Sequence, residues 1–126
     1  MTHVFRLRVY YEDTDFGGIV YYANYLKYIE RARSEWVRSM GVDQRRLKEE
    51  TGVIFAVRRV EADYLSPARF DDELEVRTEF LEFGSAKVIL RQEIWRDDAK
   101  LFVGLVTLVA IGEGGWPTRI PAALRP

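Results

Sequence analysis

The 126-residue chain contains no cysteine and a single histidine, His3. The lack of cysteine excludes disulfides, iron–sulfur clusters, thiolate zinc sites and cysteine nucleophiles. His3 lies in the N-terminal segment, where chains tend to fray, so we expect neither a histidine-based metal site nor a Ser-His-Asp triad. Any chemistry must then depend on carboxylates, hydroxyls, amides and backbone groups, and we expect no metal and no cofactor.

The chain also lacks a surplus of charge and a long apolar segment. Its 19 Lys and Arg nearly balance its 20 Asp and Glu, so the concentrated positive charge of a nucleic-acid-binding protein is missing. The apolar runs are shorter than a bilayer span, and the first residues show no secretory pattern. We therefore expect a cytoplasmic protein without a membrane span. With 48% hydrophobic residues, its length suits one packed domain over residues 1–126.

Apolar periodicity predicts a strand followed by a long helix. Residues 4–11 alternate and place four side chains on one buried face, namely Phe5, Leu7, Val9 and Tyr11. From Tyr22 to Met40 the apolar side chains recur every three or four residues, which predicts a helix that stops at Gly41. A short second helix is predicted over residues 42–50, with Asp43 as N-cap and an end near Gly52.

The rest of the chain is typical of strands separated by turns. The predicted strands are residues 53–64, 74–83, 87–95 and 101–111, with a bulge or an exposed edge at Arg58-Arg59 in the first of them. The tail after Trp116 is predicted to be extended or irregular, because it contains Pro117, Pro121 and Pro126. The fold class is therefore α+β, with a five-stranded antiparallel sheet curled around one long helix. We expect an exposed sheet edge to pair with a second subunit in a symmetric dimer.

Six of the seven tyrosines lie within residues 10–28, beside the acidic residues Glu12, Asp13 and Asp15. One interpretation is an aromatic core helix preceded by a polar loop. The other is a reaction site, because a glycine pair allows close backbone approach and a helix begins with unpaired amide groups. A carbonyl held there would be polarised by the amides, while a nearby carboxylate attacks it or activates water.

The segment Val9–Tyr25 reads VYYEDTDFGGIVYYANY. It resembles the active-site segment of the 4-hydroxybenzoyl-CoA thioesterase family of hotdog-fold proteins, above all its YbgC-like branch of acyl-CoA thioesterases associated with the Tol–Pal system. The resemblance continues through residues 30–35 and 64–72 and, more weakly, 119–121. It implies the hotdog fold, a sheet wrapped around one long helix, and the hydrolysis of an acyl-CoA to the free acid and CoA.

The resemblance also implies roles for individual residues. Asp15 corresponds to the catalytic aspartate, as nucleophile or general base, and the backbone amide of Tyr22 corresponds to the group that polarises the thioester carbonyl. This places the helix start at Tyr22, whereas capping preferences favour Asn24 as N-cap. Substrate contacts are expected from the motif and from two later loops: Gly18, Ile19, Tyr25, Ser66, Ser85 and Lys87. The phosphates of CoA need cations, and the candidates are Arg58, Arg59, Lys87, Arg91 and Arg119.

One position departs from the YbgC-like branch, which commonly has histidine where this chain has Tyr22. Asp15 and the Tyr22 amide must then suffice for the reaction. Among the other carboxylates, Glu12 and Asp13 are expected to shape the loop or face solvent. Glu30 and Glu35 are expected to form ion pairs on the helix surface.

The sequence suggests three functions. The main expectation is a thioesterase that acts on acyl-CoA or on an acyl-carrier-protein thioester. We expect it to form a homodimer, and two dimers to pair into a homotetramer. The alternative is a non-catalytic scaffold that binds acyl thioesters in an envelope or phospholipid-synthesis assembly. A hotdog dehydratase is disfavoured, because its chemistry usually needs a catalytic histidine and His3 is the only one present.

Overall fold

A computed structural model describes residues 2–125, so Pro126 of the predicted tail and the first residue of the predicted domain lie outside the described residues. The chain forms strand β1 (Thr2–Arg8), helix α1 (Asn24–Ser39), helix α2 (Gln44–Thr51) and four long strands. These strands are β2 (Ile54–Tyr64), β3 (Glu73–Phe83), β4 (Lys87–Arg96) and β5 (Ala99–Ile111). A two-residue strand, β6 (Pro117–Thr118), and short 3₁₀ turns at Tyr11–Asp13 and Ala122–Leu124 complete the described chain.

The strands form one antiparallel sheet in the order β1-β3-β4-β5-β2, with β6 paired to β5. The predicted α+β class and the five long strands are confirmed, and β6 is an addition in the segment that was predicted to be extended or irregular. The register of β2 against β5 shifts between Val57 and Arg59, which confirms the predicted bulge. β1 and β2 are the two edge strands of the described sheet.

The apolar stripe of α1 packs on the inner face of this sheet. Its buried side chains include Tyr28, Ile29 and Ala32, which meet buried residues of β3, β4 and β5 such as Val76 and Leu90. A buried polar group joins the two layers, because Gln92 donates hydrogen bonds from Nε2 to the Ile29 carbonyl and to Thr78 Oγ1, both at 2.9 Å. The helix is therefore fixed to the sheet by shape and by hydrogen bonds.

The ends of the helices follow the predicted stop signals more closely than the predicted start. Gly41 has φ +81° just after α1, and Gly52 caps α2 with φ +74°. Asp43 Oδ1 accepts a hydrogen bond from Arg46 N at 3.1 Å, which confirms this N-cap. The predicted start of the long helix at Tyr22 is wrong by two residues, because α1 begins at Asn24.

The end of the first strand was also predicted wrongly. β1 stops at Arg8, and residues 11–13 form a 3₁₀ turn, so the Tyr11 side chain is 83% exposed rather than on the buried face. The carboxylate of Asp13 causes the change, because its Oδ2 accepts a hydrogen bond from Tyr10 N at 2.8 Å. None of the helices in the described part of the chain is long and apolar enough to cross a bilayer.

Candidate active site

A short antiparallel ribbon links the acidic loop to the segment before α1. Asp15 N–H donates to the Ile19 carbonyl at 2.9 Å, Thr14 bridges to Val20, and Tyr21 N–H donates to the Asp13 carbonyl at 3.0 Å. The ribbon is tied to the loop after β2, because Val20 N–H donates to the Ala68 carbonyl at 2.8 Å. The loop that carries Asp15 is therefore held from two sides.

Asp15 lies at the tip of this ribbon, where two glycines permit a tight turn. Its side-chain Oδ1 accepts a hydrogen bond from Gly17 N at 2.8 Å, and its carbonyl accepts one from Gly18 N at 3.0 Å. Gly18 has φ +78°, a region that favours glycine. A Cβ at Gly17 would lie 3.2 Å from Asp15 Oδ1. Asp15 is exposed, and Oδ1 is the carboxylate oxygen that accepts a hydrogen bond from the described residues.

Tyr22 lies in the turn between the ribbon and α1. Among residues 2–125 its N–H donates no hydrogen bond, while its carbonyl accepts one from Tyr64 Oη at 3.0 Å. The N-cap of α1 is Ala23, which provides no side-chain cap. The amide of Tyr22 is thus a free donor next to the positive end of a sixteen-residue helix.

Asn24, the first residue of α1, connects this turn to the acidic loop. Its N–H donates to the Tyr21 carbonyl at 2.8 Å, and its side-chain Nδ2 donates to the Asp13 carbonyl at 2.8 Å. Asn24 is therefore not the N-cap that capping preferences favoured. Its side chain instead bridges the start of the helix to the segment that leads into Asp15.

The tyrosines divide between the core and the site, so each of the two interpretations applies to part of the cluster. Tyr25 is buried, stacks on Phe102 at 5.3 Å between ring centroids, and accepts a hydrogen bond from Ala68 N at 3.0 Å. Burial raises the pKa of the Tyr25 hydroxyl, and the Ala68 hydrogen bond partly opposes this. Tyr22, by contrast, is 62% exposed.

The predicted substrate contacts lie in two groups. Gly18, Ile19, Tyr25 and Ser66 belong to the Asp15 end of the sheet, where Ser66 is exposed just after β2. Ser85 and Lys87 lie at the other end, in the turn between β3 and β4 and at the first residue of β4. Because the eleven residues of β3 separate the two ends, the groups are about 34 Å apart along the strand. Within one protomer they do not form a common site.

The remaining carboxylates have mostly structural surroundings. Asp13 shapes the loop as expected, through its side chain on Tyr10 N and its carbonyl on Tyr21 N. Glu35 pairs with Arg38 as expected. Glu30 differs from the expectation, because its Oε1 accepts a hydrogen bond from Ser34 Oγ at 2.9 Å instead of forming an ion pair within the described residues.

Two of the candidate cations for CoA phosphates are already engaged. Arg59 pairs with Glu61 at 2.5 Å, and Arg91 pairs with Glu79 and with Glu93. Arg58, Lys87 and Arg119 form no ion pair with the described residues and are exposed. The part of the chain that the structure describes contains no group of three or more His, Asp or Glu side chains that could hold a metal ion.

Three residues have roles at the site that the sequence did not predict. Gly17 is needed for the close approach to Asp15, Asn24 bridges loop and helix, and Tyr64 donates a hydrogen bond to the Tyr22 carbonyl. Capping preferences point to Asn24, but as an N-cap rather than as this bridge. Tyr64 begins the resembling segment 64–72, but its hydrogen bond depends on how the end of β2 packs beside the turn before α1.

The chain is similar to one known family and to several known proteins. Residues 17–103 match the family model of the Thioesterase superfamily. The chain is 38% identical over 124 residues to the acyl-CoA thioesterase YbgC of Haemophilus influenzae, with 94% of this chain and 91% of that protein covered. It is 44% identical over 95 residues to the acyl-CoA thioester hydrolase YbgC of Escherichia coli O157:H7, covering 74% of this chain and 70% of that protein.

A solved structure supports the same likeness. The chain superposes on a probable thioesterase from Bartonella henselae with a TM-score of 0.92 and 35% sequence identity. The match covers 96% of this chain and 100% of that one.

Proposed function

The chain belongs to the Thioesterase superfamily, and from this premise we propose that it hydrolyses acyl-CoA thioesters to the free acid and CoA. The hotdog fold that the motif predicted is confirmed, and the protein is a thioester hydrolase. The observation that carries the proposal is the placement of an exposed carboxylate, Asp15, at the tip of a hydrogen-bonded ribbon that leads into the turn with the free amide of Tyr22.

The reaction needs only these two groups and water. The Tyr22 N–H donates a hydrogen bond to the thioester oxygen and stabilises the negative charge that develops there. Asp15 then acts in one of two ways. As a nucleophile it adds to the carbonyl carbon, expels the CoA thiolate and leaves a mixed anhydride that water hydrolyses. As a general base it takes a proton from the water that attacks the carbonyl. Each route consumes one water and yields one acid and one CoA.

The decisive experiment replaces Asp15 with Asn. We expect Asp15→Asn to lower kcat by about 10²–10⁴-fold, with circular dichroism and oligomeric state unchanged, because the side chain is exposed. The matched control is Glu12→Gln, which removes an exposed carboxylate from the same loop and should leave kcat unchanged. A folded Asp15→Asn protein with full activity would contradict the proposal. Acyl-CoA binding without turnover by the wild type would favour the scaffold alternative.

We propose that the active form is a homodimer joined through β2. This edge strand exposes apolar side chains on its inner face, with Val57 46%, Val60 37% and Tyr64 46% exposed. Around Asp15, further apolar side chains are more than half exposed, namely Tyr10, Tyr11, Phe16, Tyr22, Leu65 and Phe70. Monomeric soluble proteins rarely expose so much contiguous apolar surface.

Antiparallel pairing of two β2 edges also explains the two groups of substrate residues. Tyr64, at the end of β2, contacts the Tyr22 turn, while Ala56 near its beginning pairs with Val109, which pairs with Lys87. A two-fold axis across β2 therefore brings the Asp15 end of one protomer towards the Lys87 end of its partner. This arrangement would allow Ser85 and Lys87 of the partner to contact the CoA chain.

The finer predictions concern the substrate, the oligomeric state, the cellular location and the Tol–Pal association. A panel of thioesters from acetyl-CoA to palmitoyl-CoA, with 4-hydroxybenzoyl-CoA, tests aliphatic against aromatic preference, and an acyl-carrier-protein thioester tests the carrier. The pairing of dimers into a homotetramer stays a prediction, as do the cytoplasmic location and the Tol–Pal association that the resemblance implies.

A further inference from the structure

Arg33 of α1 differs from the other half-buried arginines of residues 2–125. Arg77, Arg91 and Arg96 each contact a carboxylate, of Glu75, Glu79 and Asp72 respectively. Arg33 forms no ion pair with a described residue, and its one hydrogen bond runs from Nη1 to Gln92 Oε1 at 3.0 Å. Burial lowers the pKa of Arg33 and Glu30 partly restores it. A cation taken from water without a countercharge is costly.

The guanidinium of Arg33 opens onto a cavity that is otherwise mostly apolar. We call this space, between the second half of α1, the start of β2 and the C-terminal tail, the Arg33 cavity. Its volume is about 190 Å³. Its apolar walls include Trp36, Phe55, Val57, Val88, Leu108 and Leu124. Apolar walls with one placed charged group are the usual composition of a small-molecule site.

Arg33 lacks a carboxylate hydrogen-bonded to its guanidinium. Glu30 and Ser34 also line the cavity, but the Glu30 carboxylate accepts its hydrogen bond from Ser34 Oγ at 2.9 Å and forms no ion pair with Arg33. Gln92, the partner of Arg33, is neutral and fully buried. A carboxylate is the group that best complements a guanidinium, because it accepts two parallel N–H hydrogen bonds.

We propose that the Arg33 cavity binds a small apolar carboxylate, an alkyl or aryl acid of about six to eight carbons, since a cavity of about 150 Å³ holds benzene. The carboxylate accepts hydrogen bonds from the free N–H groups of Arg33, and the hydrocarbon part lies against Trp36, Phe55 and Val88. The ligand supplies the directly bonded carboxylate that Arg33 lacks among the described residues.

Two sources can provide this carboxylate. One is a free acid in solution. The other, which rests on the proposed function, is the distal carboxylate of a dicarboxylic acyl thioester whose carbonyl lies at the Tyr22 amide. The rise of α1 makes the second source feasible, because nine residues from Asn24 to Arg33 correspond to about 14 Å. A C–C bond of about 1.5 Å advances an extended chain by roughly 1.3 Å, so about eleven bonds, as in a twelve-carbon diacid, cover this distance. The acyl chain of the second source is therefore longer than the free acid of the first.

Titration calorimetry on the purified protein tests the site with octanoate and its neutral counterpart octanamide. We expect octanoate to bind at least about tenfold more tightly, because only octanoate forms charge-assisted hydrogen bonds. Val88→Phe, which fills the cavity without touching the Arg33–Gln92 pair, should weaken octanoate binding at least about tenfold. If Val88→Phe does not fold, Leu124→Phe fills the cavity from the tail. Arg38→Gln, an exposed arginine on the same helix, should leave binding unchanged.

Equal binding of octanoate and octanamide, or octanoate binding that survives a folded cavity-filling variant, would overturn the proposal. Kinetics with butyryl-CoA separate the two sources. Competitive inhibition by octanoate, with dodecanedioyl-CoA preferred to dodecanoyl-CoA, supports the distal carboxylate. Octanoate binding without any effect on hydrolysis supports the free acid. If no thioester is hydrolysed but octanoate binding still depends on the cavity, the proposed function fails and the carboxylate site stands.

Discussion

The side-chain amide of Asn24 donates a hydrogen bond to the backbone carbonyl of Asp13 at 2.8 Å. The same carbonyl accepts the Tyr21 N–H at 3.0 Å. One oxygen atom thus joins the acidic loop, the turn that carries the Tyr22 amide and the first residue of α1. The relative position of the carboxylate and the amide donor depends on this junction.

Replacing Asn24 with Ala should therefore lower kcat while leaving the affinity for substrate nearly unchanged. We expect kcat to fall by about 10- to 100-fold, because small misplacements of catalytic groups have effects of this size. KM should stay within about twofold, since Asn24 does not face the substrate in the proposed geometry. Stability should fall by about 1 kcal/mol for the lost hydrogen bond. Steady-state kinetics and urea unfolding measure both effects.

The control for this variant is Lys27→Gln, an exposed position one turn along the same helix. It should change neither kcat nor stability. A wild-type kcat in folded Asn24→Ala would show that the junction does not position the site.

The hydroxyl of Tyr25 supports the same site from the core side. It accepts the Ala68 N–H at 3.0 Å, and both residues are buried. Tyr25→Phe keeps the stack on Phe102 but leaves that N–H without an acceptor, so we expect a loss of about 1–3 kcal/mol in the free energy of unfolding. Urea titration followed by tryptophan fluorescence gives this value, with an unchanged m-value.

The exposed hydroxyl of Tyr21 provides the comparison. Tyr21 is 46% exposed, and its side chain forms no hydrogen bond within the described residues, so Tyr21→Phe should be neutral. A Tyr25→Phe protein as stable as the wild type would mean that Ala68 N–H finds another acceptor.

The periodicity of apolar residues predicted most of the strands and helices. The predictions failed where hydrogen bonds override the apolar pattern. The alternation of residues 4–11 placed Phe5 and Leu7 correctly on the inner face, but Tyr11 left the strand because the Asp13 carboxylate caps a 3₁₀ turn. The start of α1 was missed because Tyr21 pairs back with Asp13, which keeps Tyr22 and Ala23 in a turn. Both errors involve contacts between side chain and backbone, or between distant backbone groups, that apolar spacing does not encode.

The candidate site divides in the same way. Asp15, Gly18 and Tyr22 lie in one contiguous motif, so their closeness follows from chain connectivity. Ser85 and Lys87 lie at the opposite end of β3, and this separation, which motivates the proposed dimer, follows from the sheet order rather than from the sequence. The Arg33 cavity could not be predicted from the sequence, because it depends on the packing of β4 against α1, where Arg33 donates a hydrogen bond to Gln92.

Tyr28 provides a prediction about stability and pH. Its hydroxyl is buried and forms no hydrogen bond with residues 2–125. Burial, followed by the nearby Asp13 carboxylate, raises the pKa of this hydroxyl far above its ordinary value of 10.0. Stability contributed by the protonated hydroxyl is therefore complete below pH 10 and is lost as the pH rises further, because the unfolded chain ionises first.

Tyr28→Phe should remove this dependence. At pH 7 we expect a neutral effect or stabilisation by up to about 1 kcal/mol, since an unpaired hydroxyl is removed from the core. Above pH 10 the fall in unfolding free energy should be shallower than in the wild type by up to about 1.4 kcal/mol per pH unit. Urea titrations at pH 7, 10 and 11 measure both, with Tyr21→Phe as the exposed control. Parallel pH curves for Tyr28→Phe and wild type would contradict the prediction.

The two edge strands allow a test of assembly. Val60 on β2 is 37% exposed and Val4 on β1 is 41% exposed. Val60 lies opposite buried Val106 on the inner face of the sheet, and Val4 lies opposite Arg77 on the outer face. If β2 forms the dimer interface, Val60→Asp buries two symmetry-related carboxylates against apolar side chains, and the dimer should dissociate at micromolar concentration. Val4→Asp should leave the mass unchanged. Sedimentation velocity measures the mass. Activity should be lost together with the dimer, because in the proposed dimer the partner supplies Ser85 and Lys87 to each site. A dimeric Val60→Asp protein alongside a monomeric Val4→Asp protein would place the interface at β1 instead.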